Sequence, residues 1–307
     1  MTSFIKDFKE KFKDTESSIK KKTVGVVFGG FGEERLASLE TGEPVYQELL
    51  KNGFKLIKID PAKKDFFRLI KKCDVVFNCL HGEFGESGHL SAILDYMNVP
   101  YTFSGLYASS VCMDKLYFKS ILKKLNYLTP LDNYDELFHK SKPPFYIQKK
   151  IRGGGSIGMK IGTSVSKKDD YFTEYFIDGK ILTMGVLEKD NKYEALGIVE
   201  IDLKGKKFYD KDSKYLEGFC SYKEYKGRNQ KYIKEVTENV FEFVGIKGCA
   251  RIDFIEKNNK VYILEINTVP GLYYVSNLVY SAQLCGLSFY ELLIWIINNA
   301  IYPKLWD

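Results

Sequence analysis

The sequence predicts an α/β protein in which an N-terminal parallel βαβ sheet is followed by a two-part module of strands and helices. Three observations carry that expectation. Short apolar runs alternate with helix-period segments from Thr23 to Tyr101, the pattern of parallel strands joined by crossover helices. Two of those runs stop at Gly29-Gly30 and His81-Gly82, at the carboxyl ends of strands, where parallel sheets bind ligands. Farther along, strands of alternating pattern flank a turn at Lys257 to Lys260, which reads as a hairpin.

Taken in order, residues 1–22 are an extension expected to be helical or disordered. Phe4, Ile5, Phe8 and Phe12 recur at helical spacing among Lys, Asp and Glu, so an amphipathic helix can pack on the body, pair with a partner or lie on a membrane. Residues 23–108 make the parallel-sheet region. TVGVVF (Thr23 to Phe28) is a buried strand, Glu34 to Asn52 a helix, and Lys55 to Ile59 a strand. Phe66 to Lys71 is a short helix, DVVFNC (Asp74 to Cys79) a buried strand, and His89 to Met97 a helix that leads to a short strand before Tyr101. In residues 109–186 a helix from Ser109 carries Asp114 and Lys115, and strands with a Gly-rich hairpin run from Tyr146 to Val186. Residues 187–307 hold further strands, an exposed loop near Phe208 to Tyr225 and two helices, with the apolar run Leu292 to Ile297 buried in the C-terminal one.

A chain of 307 residues has room for two or three domains and a sizeable core. Its net charge of +6 suits anionic small molecules and falls short of a nucleic-acid footprint. The six cysteines are scattered with no CxxC pair, which reads as reduced thiols of a cytoplasmic protein rather than disulfides or a zinc site. The first 22 residues lack the apolar core of a signal peptide, and Leu292 to Ile297 is far too short to cross a bilayer.

Four constellations carry chemistry. In GCARIDFIEKNNKVYILEINTVPG, Arg251 and Asp253 share one face of a strand, and Glu265 and Asn267 share one face of the next. Pairing would cluster two carboxylates, an amide oxygen and a guanidinium, a set suited to Mg²⁺ bridging phosphates; a solvent-facing salt-bridge ladder is the plain alternative. Lys149 precedes a glycine run, Gly153 to Gly158, including Gly154, Gly155 and Ser156. Such a run can wrap phosphate oxygens, although it is neither a Walker A loop nor a dinucleotide fingerprint. His81, one of three histidines, follows a buried strand, where it can donate to an anionic group or serve structure alone. Phe208 to Tyr215 is a charged loop with embedded aromatics, open to reading as a lid or as a surface loop.

In this order the segments resemble the D-alanine–D-alanine ligases of the ATP-grasp superfamily. The likeness rests on GGFGEERLAS (Gly29 to Ser38), NCLHGEFGESG (Asn78 to Gly88), YTFSG with the later MDK (Tyr101 to Lys115), GGGSIGM, FYDKDSKY, ARID and LEINTVPG. It implies that the two-part module is an ATP-grasp module and that ATP and two Mg²⁺ ions, with Mn²⁺ able to substitute, are used. The implied reaction forms an acyl phosphate of one D-alanine, which the amine of a second D-alanine attacks, giving the dipeptide for peptidoglycan precursors. By the same resemblance Glu34 holds the first substrate's ammonium and His81 lies near its carboxylate. Lys115, Lys149 and the loop at Gly154, Gly155 and Ser156 grip the phosphates, while Glu174 and Ile177 border the adenine. Asp253, Glu265 and Asn267 bind the metals. Arg251 and the Gly271 backbone stabilise the tetrahedral intermediate, Ser276 holds the second carboxylate, and Lys214 and Tyr215 belong to the lid. A homodimer is implied as well.

Three positions depart from the family pattern: Gly155 stands for a serine, Ile181 for a glutamate near the ribose, and Lys211 for an aromatic residue of the lid. A ligase taking D-serine, D-lactate or another amino acid second is the first alternative. A nucleotide-binding protein with a decayed site is the other, and retention of Arg251, Asp253, Glu265 and Asn267 speaks against it.

Overall fold

A computed structural model of the chain describes residues 2–140, 142–164, 168–204 and 220–304. Strands β1 (Thr23–Val27), β2 (Lys55–Ile59) and β3 (Val75–Asn78) form a parallel sheet in the order β2-β1-β3, as the alternation predicts. The central strand is buried on both faces, with Val24, Val26 and Val27 wholly enclosed, because crossover helices cover each side. One of these, Arg35–Lys51, starts one residue later than expected and leaves Glu34 at its N-terminal boundary. The strand expected before Tyr101 shrinks to single bridges from Tyr101 to Val76 and to Ile301.

The expected helix through Asp114 is two helices, Leu106–Met113 and Lys115–Lys124. Asp114 breaks the run by adopting an extended backbone, and its carboxylate accepts from the Leu116 and Tyr117 N–H groups, both at 3.2 Å. A capped N-terminus at that point stabilises the second helix by about 1 kcal/mol.

Strands β4 (Tyr146–Lys150), β5 (Lys160–Gly162) and β6 (Tyr171–Tyr175) form an antiparallel sheet in the order β5-β4-β6. The glycine run is the loop of the β4–β5 hairpin. The third sheet, also antiparallel, runs β11-β10-β7-β8-β9 from β7 (Lys180–Lys189), β8 (Lys192–Asp202), β9 (Ser221–Glu224), β10 (Cys249–Lys257) and β11 (Lys260–Asn267). Residue 186, the expected regional boundary, lies within β7, which pairs with β8 and β10 on its two edges. Of the exposed loop expected over Phe208 to Tyr225, residues 208–219 lie outside the described residues, and its end is the edge strand β9. Three helices, not two, follow residue 187 among the described residues: Gln230–Val244, Asn277–Gln283 and Phe289–Asn298.

The last helix is apolar around its whole circumference, and Leu292 through Ile297 are all buried. On one side it shares a single apolar core with Val24, Val26 and Phe28 of the parallel-sheet region. The other receives the N-terminal extension, whose helices Ser3–Glu10 and Phe12–Lys20 dock through their aromatic stripe. Phe8 meets the Trp295 ring edge-on at 5.3 Å, Phe4 stacks on it at 5.9 Å, and Phe12 packs against Tyr290. Glu194 anchors the first turn by accepting from Ser3 Oγ at 2.6 Å and from the Phe4 N–H. Of the three fates open to the amphipathic stripe, packing on the body is the one observed.

Phe8→Ala empties a site that is 6% exposed and should cost about 3 kcal/mol in urea denaturation. A cost below about 0.5 kcal/mol would mean that the extension is not docked in solution.

Candidate active site

The β10–β11 hairpin is closed by Asn258 and Asn259, both in the left-handed region at φ 51° and 61°, which is what a two-residue turn between twisted strands requires. That turn sets the register as far as Phe254, and a β-bulge between Phe254 and Asp253 then shifts it by one residue, so that Asp253 pairs with Glu265 and Arg251 with Asn267 across the strands. The four residues singled out in the sequence are thereby brought together. Asp253 accepts from Arg251 Nε and Nη2, each at 2.9 Å, from Thr183 Oγ1 at 2.6 Å and from Asn267 Nδ2 at 3.1 Å. Two carboxylates placed opposite one another repel unless cations intervene.

Lysines supply part of that compensation. Lys115 Nζ lies 3.4 Å from Glu265 Oε2 and donates to the Gly153 carbonyl at 2.7 Å. Lys149 Nζ lies 2.5 Å from Glu174 Oε1. Burial opposes the Lys149 charge, but the carboxylates of Glu174, Glu265 and Asp253 outweigh it and raise this ammonium above its ordinary value. Burial likewise opposes the charged form of Glu174, and Lys119 and Lys149 together overcome it, holding the carboxyl below its ordinary value.

These groups line a cleft of about 370 Å³ between the two antiparallel sheets. Lys115, Lys149, Gly154, Ser156, Glu174, Ile177, Asp253 and Glu265 all face it, and Ile181 lies on the same wall. Ile147, Ile157, Met159, Phe176, Ile255 and Leu264 give it an apolar interior, so a flat heterocycle and a charged tail can be held in one groove.

A second, smaller pocket is lined by Glu34, His81, Gly155, Arg251, Asn267, Gly271 and Ser276. His81 Nε2 is 2.8 Å from Thr41 Oγ1, and the His81 backbone N–H donates to Ser38 Oγ. Glu86 accepts from the Gly82 N–H at 2.7 Å and lies 3.7 Å from His81 Nδ1. Gly82 sits at φ +84°, and a Cβ there would meet Glu34 Oε2 at 2.8 Å, so only glycine lets the Glu34 carboxylate lie over this turn. Ser276 heads the helix Asn277–Gln283 without capping it, and its buried Oγ has no partner among the described residues. A buried hydroxyl left unsatisfied costs about 1–3 kcal/mol, which a ligand oxygen in this pocket would relieve.

The residues expected in the site thus fall into two neighbouring pockets, apart from Lys214 and Tyr215, which lie outside the described residues together with Lys211. Sequence reasoning missed Lys119, Glu86 and Thr41. Glu86 was visible inside HGEFGESG, and Lys119 stands four residues after Lys115, the spacing that puts both on one helix face.

The hairpin's donors fit a magnesium ion. Two carboxylates and an amide are hard oxygen donors, and no cluster of three or more His, Cys, Asp or Glu forms among the described residues. Two carboxylates leave most of an octahedral shell to phosphate and water, the usual arrangement for magnesium on a nucleotide.

A cleft between two antiparallel sheets, with lysines on one wall and a carboxylate hairpin on the other, defines an ATP-grasp enzyme. The model of the family described as D-ala D-ala ligase C-terminus matches residues 147–298. The D-alanine–D-alanine ligase of Pelagibacter ubique is 34% identical, over 91% of this chain and 98% of its own length. That of Thermotoga petrophila is 36% identical, over 90% and 97%. Among solved structures, the D-alanine–D-alanine ligase of Bacillus anthracis complexed with ATP is 26% identical, with a TM-score of 0.74 over 90% of this chain and 96% of that one. The D-Ala:D-Ser ligase of Enterococcus faecalis, 23% identical with a TM-score of 0.70, shares the fold. The chain belongs to the D-alanine–D-alanine ligase family.

Glu174 tests the electrostatics. Because its folded pKa is depressed, its contribution to stability is present above 4.5 and is lost as pH falls through the lower folded value. Glu174→Gln should lower the melting temperature at neutral pH by roughly 5–10 °C. The gap to wild type should narrow as pH drops below 4.5; a constant gap would show that the carboxylate charge is not what stabilises the cluster.

Proposed function

We propose that this chain is an ATP-dependent ligase that joins two D-alanines into the dipeptide used for peptidoglycan precursors. The observation that carries the reading is the division of site residues between two pockets that share the β10–β11 hairpin as a wall. A nucleotide in the larger pocket would present its terminal phosphate beside Lys115 and Lys149. An amino acid in the smaller one would have its ammonium near Glu34 and its carboxylate near His81. The carboxylate oxygen attacks the γ-phosphorus, ADP leaves, and an acyl phosphate results. The amine of the second D-alanine, deprotonated, attacks that carbonyl carbon and inorganic phosphate departs. Arg251 and the Gly271 N–H stand where charge develops on the carbonyl oxygen, and Ser276 offers its unused hydroxyl to the second carboxylate. Positioning and charge neutralisation dominate such chemistry.

Asp253, Glu265 and Asn267 would hold magnesium, two ions with manganese able to replace them, and the metal when bound would neutralise phosphate oxygens. Ile177 and Glu174 would border the adenine, and Lys214 with Tyr215 would complete the lid. The parallel-sheet region (23–108) then serves the first substrate, while the central (109–186) and C-terminal (187–307) parts hold the nucleotide between them. The relatives that support this reading are named for D-alanine twice over, which favours the dipeptide over a D-serine or D-lactate product. No helix among the described residues is long and apolar enough to cross a membrane; a cytoplasmic homodimer is the assembly we propose, and sedimentation tests it.

Phosphate release with ATP and Mg²⁺ should depend on D-alanine and yield the dipeptide by mass, with L-alanine inert. Release only with D-serine or D-lactate would change the substrate, and no release would overturn the reading. Ser276→Ala should raise the D-alanine KM about tenfold and leave the ATP KM unchanged.

A further inference from the structure

Of the four lysines on helix Lys115–Lys124, Lys115 and Lys119 stand one turn apart, and they have different surroundings. Lys115 reaches the cleft. Lys119 is 1% exposed and does not line it. Its ammonium lies 2.6 Å from Glu174 Oε2 and 3.5 Å from Asp132 Oδ2, and donates to the Pro130 carbonyl at 2.5 Å. Glu174 is therefore shared, one oxygen to Lys119 and the other, at 2.5 Å, to Lys149.

The charges decide what this sharing does. A buried carboxylate must be neutralised, because an uncompensated charge in the interior costs several kcal/mol. With Lys149 as its only cation, Glu174 would take the whole of that charge and draw the ammonium donors away from the cleft. Lys119 stands on the protein side, where no ligand reaches. Glu174 with its two lysines sums to one positive charge, and Lys149 and Glu174 line the groove while Lys119 does not. Asp132 lies on the far side of Lys119, where it and Asp135 share Lys123, and neither aspartate lines the cleft.

We propose that Lys119 is a positioning residue for the nucleotide: by neutralising Glu174 from behind, it leaves the Lys149 charge available to phosphate. This rests on the reading that the cleft between the antiparallel sheets holds ATP. It assigns to the helix a purpose beyond carrying Lys115, and makes Lys119 necessary for nucleotide affinity although it never touches the nucleotide.

The test is a cycle of Lys119→Met and Glu174→Gln, singly and together, with ATP affinity measured by calorimetry and both KM values by phosphate release. Lys119→Met should weaken ATP binding and raise the ATP KM by about tenfold, while the D-alanine KM stays within about twofold. Lys119→Arg, which keeps the charge, should stay within about threefold of wild type. Because Lys119 acts through Glu174, the double variant should bind ATP within about twofold of Glu174→Gln alone. An additive loss, or equal loss for both substrates, would make Lys119 a general structural lysine and overturn the proposal. Should Lys119→Met not accumulate as folded protein, the comparison of the double variant with Glu174→Gln decides alone. Wild type that fails to bind ATP would overturn the functional reading instead; wild type that binds, with Lys119→Met equal to it, overturns this inference only.

Discussion

The register of one hairpin sets the rest of the site. Two asparagines in left-handed conformations close the turn between β10 and β11, and a β-bulge between Phe254 and Asp253 then brings Asp253 opposite Glu265 and Arg251 opposite Asn267. A slip of one residue between the strands would put Glu265 and Asn267 on the face opposite Arg251 and Asp253. Because β10 also pairs with β7, the same register brings Thr183 against Asp253. The hairpin is then the common wall of both pockets: Asp253 and Glu265 face the larger, Arg251 and Asn267 the smaller.

The glycine run completes that partition. Gly153, Gly154 and Ser156 face the larger cleft, and Gly155 faces the smaller pocket. Gly155 and Ser156 both take left-handed backbones, at φ 61° and 60°, so the loop turns sharply enough to serve both sides. Gly155 holds this conformation without the strain that a side chain would add, and in doing so it gives the smaller pocket a wall without a hydroxyl.

Much of this was legible in the chain itself. Period-2 alternation fixed which hairpin residues share a face, and the apolar runs gave β1 and β3 nearly to the residue, because a strand enclosed on both sides admits few polar positions. The break at Asp114 was not legible, since Ser110, Val111, Cys112 and Met113 run into Leu116 with no glycine or proline; it depends on a side-chain cap and on the antiparallel bridge from Asp114 to Arg152. Lys119 escaped notice for a related reason. A lysine on an amphipathic helix reads as solvent-facing, and only the tertiary approach of Glu174 and Asp132, which lie far along the chain, makes burying it tolerable. Buried charge networks are written in contacts between distant residues, and one sequence read for local pattern does not display them.

The docking of the chain's first helices on its last has a consequence for synthesis on the ribosome. Glu16 accepts from Tyr290 across 274 positions, and Tyr101 completes its bridge only with Ile301. At the pace of translation, the aromatic stripe leaves the exit tunnel on the order of tens of seconds before the surface that covers it. Through that interval Phe4, Phe8 and Phe12 are exposed on a nascent chain, a patch on which a chaperone can act. The parallel-sheet region, although encoded first, is among the last parts of the molecule to be sealed.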